Sequence, residues 1–158
     1  MRGALPPLAL LYAALALAVA SAPRRRWAIC GALVAAAALG TTLAPPPWQD
    51  GVFVGCWISV AVTGAAGLLP RTDGGLAYGL SLNAGLWSGA LAALAGTRLD
   101  LLAASPCLAL LIPAAWAARH VRFPLVRVAS SWLVAVAILA VALSALPVTP
   151  GYLPDHLE

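Results

Sequence analysis

Apolar positions run almost without interruption along this chain, and short polar turns break them at nearly regular intervals. The breaks leave six apolar runs, near residues 5–22, 27–44, 52–69, 75–95, 100–118 and 124–146. A helix needs about 20 residues to cross the hydrocarbon core of a bilayer, and about 17 suffice. Each run meets that length. The pattern therefore predicts an all-α polytopic membrane protein, a compact bundle of six transmembrane helices with short loops, forming one domain over residues 1–158.

The helix-breaking residues fall where such a bundle needs them. Pro6 and Pro7 sit in the first turn of the first run, where a missing N–H donor costs nothing. Pro45, Pro46 and Pro47 end the second run beside Trp48, at a position suited to a membrane interface. Pro70 closes the third run, and Gly74 and Gly75 open the fourth. Pro106 and Pro113 lie inside the fifth, which predicts a kinked or broken helix whose freed carbonyls find other donors. Such a break is read as a bend, with a transport site as the alternative. Pro147, Pro150 and Pro154 make the C-terminal tail irregular.

Composition narrows the class. Hydrophobic residues make up 63% of the chain and charged residues 9%, and the mean hydropathy is +0.95. A soluble core of this size cannot hide so much apolar surface, so lipid is the expected solvent of the outer face. All nine basic residues are arginine. Arg24, Arg25, Arg26, Arg71, Arg119, Arg122 and Arg127 fall in or beside loops on one side, against Arg2 and Arg98 on the other. By the positive-inside rule this seven-to-two bias puts both termini outside the cytoplasm. The reading is a multi-pass protein of the bacterial inner (cytoplasmic) membrane. The pI near 9.5 follows from these loop arginines, so no nucleic-acid partner is expected. At the N-terminus, Arg2, the first apolar run and Ala20-Ser21-Ala22 also match a signal peptide with its cleavage site. Pro23 immediately after that site disfavours cleavage.

The fourth run carries the clearest packing pattern. Ala77, Ser81, Gly85, Gly89 and Ala93 recur every four residues. In lipid, helices associate through close van der Waals contact, and small residues at this spacing let backbones approach. The stripe is read as the central packing seam of the bundle, with a homodimer interface as the functional alternative. Polar residues at membrane depth are few. Ser59 and Thr63 lie in the third run, Ser81, Asn83 and Ser88 in the fourth, and Ser130, Ser131 and Ser144 in the sixth. Serine and threonine can satisfy themselves on a carbonyl one turn back. Asn83 needs a partner across a helix interface, which is either another helix or a substrate.

Several chemistries find no residues. Cys30, Cys56 and Cys107 have no metal-ligand spacing, so no metal site and no cofactor are expected. His120 lies among loop arginines and His156 in the tail. Lysine is absent, which excludes a retinal-type Schiff base. The segment Leu86-Trp87-Ser88-Gly89 places a serine before a glycine, as some intramembrane proteases do, but no membrane-embedded histidine can activate it. Asp73 and Asp100 stand at helix ends. No catalytic residues are assigned, and the chain reads as a non-enzyme.

Laid end to end, the order of segments does resemble one family. An Arg-containing loop follows the first apolar helix, then come an Ala-rich helix, the turn PPPWQDG and the helix VFVGCWISVAVTGAAGLLP. A Gly-rich helix containing LNAGLWSGALA follows, and the last helix opens with LVRVASSWLVAVAIL. This layout resembles the HupE/UreJ family of small permease-type membrane proteins over roughly residues 5–146. The resemblance implies six helices and an outside N-terminus. It departs from the family where that family's metal chemistry sits. The His-rich signature of the first helix is replaced by ALPPLALLY, and the His/Glu motif of the fourth by Asn83, Trp87 and Ser88. Transition metals need imidazole, thiolate or carboxylate donors, so metal handling is not implied.

Two functional classes remain. The first is a permease-type transporter of a small neutral or apolar solute, with Ser59, Thr63, Ser81, Asn83 and Ser88 lining a cavity beside a broken fifth helix. The second is a non-catalytic membrane subunit or scaffold of a larger complex. It would dock through the small-residue face of the fourth helix, with a homo-oligomer as a further form. Beyond the lipid bilayer itself, the sequence names no partner.

Overall fold

The computed structural model describes residues 4–20, 26–43, 46–70, 72–96, 98–120 and 124–146. Among them every regular element is helical, with no strand: α1 (Leu5–Val19), α2 (Arg26–Leu43), α3 (Gln49–Ala66), α4 (Gly74–Ala95), α5 (Arg98–Ala104), α6 (Leu111–His120) and α7 (Pro124–Ala145). A 3-10 turn at Pro46–Trp48 leads into α3, and a 3-10 segment at Ser105–Leu110 joins α5 to α6 in one broken rod.

The boundaries differ from the apolar runs for local reasons. Trp48 stands at the N-cap position of α3 without a side-chain cap bond, and Gln49, Asp50 and Gly51 form its first turn, where the Asp50 carboxylate suits the helix dipole. At the other end α3 stops at Ala66 rather than at residue 69. Leu68 and Leu69 donate to the carbonyls of Ala65 and Ala66, three residues back, at 3.0 and 3.1 Å. Pro70 then disfavours helical backbone at Leu69. The fifth rod is broken at the prolines. Pro106 cannot donate to the Leu102 carbonyl four residues back, and the Ser105 hydroxyl takes that carbonyl instead at 2.7 Å. The freed acceptor is thus satisfied by the adjacent side chain rather than by a neighbouring helix.

Helix directions alternate along the chain, as the residue register across each interface shows. Tyr12 of α1 meets Ser88 of α4, while Ala4 lies against Gly96, so those two helices are antiparallel. Gly55 faces Trp87 and Ser59 bonds Asn83, so α3 and α4 are antiparallel too. Gly85 lies on Leu33 and Ala36 of α2, and Gly89 on Ala37. Residue numbers rise together there, so α2 and α4 run parallel, with α3 returning between them.

α1 is the centre of the bundle. Leu8, Leu11, Tyr12, Leu15, Ala18 and Val19 are all buried, and α1 touches α3, α4, α7 and the broken fifth rod. α7 packs chiefly along α3. Leu125, Val128, Trp132, Leu139 and Leu143 form an exposed stripe on its outer side.

Two segments, Leu99–Trp116 and Pro124–Ala145, are long and apolar enough to cross a membrane. Leu5–Val19 and Ala28–Leu43 are apolar but shorter. Fewer segments therefore meet the length and hydropathy of a span than the six apolar runs suggested. α1 ends at Val19 rather than near residue 22, and α4 carries five glycines, two serines and Asn83. The loop arginines Arg24, Arg25, Arg71 and Arg122, together with Arg2, lie outside the described residues, as do Ser21, Ala22 and the tail from residue 147.

Candidate functional site: a recess between α3 and α4

The polar residues expected to line one cavity are dispersed by the fold. Ser81 lies on α4, fully buried, and its hydroxyl donates to the Ala77 carbonyl one turn back at 3.0 Å. Ser88 donates to Gly85 O at 2.9 Å and accepts a bond of 3.3 Å from the Tyr12 hydroxyl. That relay ties α1 to α4 and leaves Ser88 no proton to donate to a solute. Thr63, also fully buried, has a hydroxyl with no partner, as does Ser130 on α7. The indole N–H of buried Trp57 is unpartnered as well.

Ser59 and Asn83 are the two that come together. The Asn83 amide Nδ2 donates across the α3–α4 interface to Ser59 Oγ at 2.5 Å. This is a helix–helix bond, and both residues also line a recess of about 370 Å³. Its other walls are Gly51, Val54, Gly55, Ile58, Val62 and Trp87. Gly55 shapes this wall: a Cβ there would collide with the Trp87 ring, so the indole lies directly on the α3 backbone. Ser59 is the eleventh residue of α3 and Asn83 the tenth of α4. The pair thus sits near the middle of both helices, with a polar edge in a recess otherwise walled by aliphatic and indole surface.

A separate and larger hollow of about 480 Å³ lies beside the broken fifth rod. It is lined by Tyr12, Leu33, Thr41, Leu101, Leu102 and Ser105 among others, none of which belongs to the expected set. Its hydroxyls are already used: Thr41 donates to Ala38 O at 2.7 Å and Ser105 to Leu102 O. The expected single cavity therefore does not form, because five residues on two helices at different angular positions cannot all face one space.

The small-residue stripe is likewise divided. Ala77, Ser81, Gly85 and Gly89 are buried, whereas Ala93 is exposed. Steps of four residues drift about 40° around a helix, so Ala93 lies almost opposite Ala77. The buried part does not face outward for a partner. Gly85 and Gly89 press on the backbone of α2, and Gly40 of α2 presses in return on Leu86 and Ala90. The fourth-helix face offered as a docking or homodimer surface is occupied within the chain.

Tyr12, Gly40 and Gly55 also shape these sites, though the sequence reading does not pick them out. Tyr12 carries a signal, being the one hydroxyl-bearing side chain in the centre of the first apolar run. Gly55 carries none, and Trp87, noted in the sequence only beside Ser88, becomes a wall once α3 and α4 are in register. Among the described residues no three His, Cys, Asp or Glu side chains come together in a metal-binding group. No family model matches the chain, and neither a curated protein nor a solved structure matches it.

Proposed function

We propose that the chain is a multi-pass integral membrane protein that handles a small neutral solute as a permease-type carrier, with the α3–α4 recess as its solute site. The observation that carries this reading is the Asn83–Ser59 pair, a side-chain amide near mid-helix that opens into a cavity. Polar groups at membrane depth are costly and are retained where they are used. A recess of this volume with apolar walls and few polar groups has the build of a small-molecule site.

The membrane assignment has its own support. The alternation of helix direction suits six crossing rods, with the broken rod as the fifth. The two segments of spanning length are only 17% buried, and their outer faces carry Leu102, Ile112, Trp116, Val128, Trp132 and Leu139 in exposed positions. Within this proposal the bilayer is the bacterial inner membrane, both termini lie outside the cytoplasm, and the layout shared with the HupE/UreJ family reflects a common bundle without its metal ligands.

The test is solute-driven swelling of liposomes containing the purified protein, followed by light scattering. Neutral solutes such as glycerol should enter faster than into protein-free liposomes, and Asn83→Leu should slow that entry. Equal rates with and without protein would retire the carrier. A second reading, a non-catalytic subunit of a larger complex, draws on the exposed α7 stripe of Leu125, Val128, Trp132, Leu139 and Leu143. A stoichiometric partner retained in mild detergent, and lost on Trp132→Ser with Val128→Ser, would favour it.

A further inference from the structure

The α3–α4 recess has a more specific chemistry than its size. An asparagine amide carries two N–H donors and a carbonyl acceptor. One N–H of Asn83 is committed to Ser59. Among the described residues nothing else bonds to this side chain, and it is half-buried with its edge in the recess. With the N–H that points away from Oδ1 given to Ser59, the other N–H and Oδ1 lie side by side in the amide plane. The surroundings offer no competing charge, since the other lining residues are glycine, valine, isoleucine, serine and tryptophan. A donor–acceptor edge of this kind is matched by a group that presents an acceptor and a donor at the same spacing. Asparagine and glutamine side chains use this two-bond geometry to read the acceptor–donor edge of adenine.

Resting on the solute-site reading above, we infer that the recess binds uncharged carboxamides, above all those whose remainder is flat and apolar. The ligand carbonyl accepts the free Asn83 N–H, and a ligand N–H donates to Oδ1. The Ser59 hydroxyl, which accepts from Asn83, keeps its own proton to donate to the same ligand carbonyl. The rest of the ligand lies against the Trp87 indole, which Gly55 allows to rest on α3. Val54, Ile58 and Val62 close around its edge. A carboxylate or an ammonium group is rejected, because no opposite charge is present to offset its desolvation. An ester of the same shape keeps the acceptor but lacks the N–H, so Oδ1 stays unpaired. Sites built to hydrogen-bond a particular group discriminate in this way against analogues that lack it.

Isothermal titration of the full chain in lipid nanodiscs tests this, with benzamide, its ester analogue methyl benzoate, and toluene as probes. Benzamide should bind at least about tenfold more tightly than methyl benzoate, the equivalent of one or two net hydrogen bonds. Asn83→Leu should abolish that preference, while Tyr12→Phe, on the other side of α4, should preserve it. If benzamide, methyl benzoate and toluene bind alike, the carboxamide inference fails and the recess stands as an apolar solute site. If a benzamide preference survives in Asn83→Leu, the ligand sits elsewhere and the inference fails. If no probe binds the unaltered protein, both the inference and the solute-site reading fall. The probe series on the unaltered chain decides the matter even where Asn83→Leu does not fold.

Discussion

Two interfaces of the bundle are built from the same small residues yet differ in what stands opposite them. Along α2 and α4 the nearest atoms facing the glycines are backbone. A Cβ on Gly89 would strike the Ala37 carbonyl, one on Gly85 the Leu33 carbonyl, and one on Gly40 the Leu86 carbonyl and the Ala90 nitrogen. Along α3 and α7 the nearest facing atoms are side-chain ends. Gly67 looks onto Ser130 Oγ, and a Cβ on Gly64 would lie 3.0 Å from Val134 Cγ2. A backbone carbonyl inside a helix cannot move without shifting the helix, whereas a hydroxyl or methyl can turn about χ1. The first interface therefore has no slack, and the second has some. The second also buries the Ser130 hydroxyl without a partner, and Thr63 of α3 is buried unpartnered as well. Close backbone contact thus accompanies a dry, apolar interface, and looser contact accompanies unmet polar groups.

The sharpest way to break this contrast is at Gly89. Gly89→Ala adds one methyl group where three Ala37 backbone atoms already stand. Overpacking of cores typically costs about 1–3 kcal/mol, and a rigid neighbour on this side puts the expected loss at or above about 3 kcal/mol. Gly85→Leu together with Gly89→Leu should prevent folding of the bundle altogether. Titration with SDS from mild detergent, read by near-ultraviolet circular dichroism, measures the loss. A Gly89→Ala protein as stable as the parent would show that α2 and α4 are not in this register.

Gly67→Ala should cost less, about 1 kcal/mol, because Ser130 can rotate away from the new methyl group. Its interest lies in coupling. Ser130→Ala removes the opposing oxygen, so the double variant should recover most of the loss, a non-additivity that a double-mutant cycle detects. The same cycle run on Gly89 with Ala37→Gly should show little recovery, because the obstruction there is the Ala37 backbone itself. Equal recovery at both interfaces would erase the distinction between them.

Much of this architecture is legible in the chain, and the limits are physical. The six rods follow from apolar length and from proline and glycine punctuation, and the break in the fifth follows from Pro106, whose missing N–H is a local fact. What sequence periodicity cannot supply is the angular and axial register between helices. Asn83 and Ser59 are 24 residues apart, and Tyr12 and Ser88 are 76 apart. Each pairing depends on how two helices are rotated about their axes, which no single helix encodes. The four-residue stripe on α4 shows the same limit. Its spacing marks a small surface, but α2 is chosen as the neighbour because Ala36 and Gly40 present a matching surface four residues long. The drift that exposes Ala93 follows from 3.6 residues per turn and was available from the start. The candidate site is half legible, since an amide inside an apolar run demands a partner, but whether that partner leaves a recess depends on Gly55 and Trp87 meeting across the interface.

The smallest expected effect compares an unpartnered hydroxyl with a partnered one on α3. Thr63 is fully buried and its hydroxyl bonds to nothing, in contrast to Ser59, whose oxygen accepts from Asn83. Replacing a buried, unpartnered polar group by an apolar one of the same shape is close to neutral or stabilising, because the desolvation penalty disappears and no bond is lost. Thr63→Val should therefore leave SDS resistance unchanged or raise it by up to about 1 kcal/mol. Ser59→Ala should lower it by about 1 kcal/mol, the net contribution of a typical intramolecular hydrogen bond. The two substitutions lie one turn apart on α3 and remove the same kind of group, so their opposite signs isolate the partner as the cause. If Thr63→Val destabilises as much as Ser59→Ala, the Thr63 hydroxyl is bonded in the folded protein.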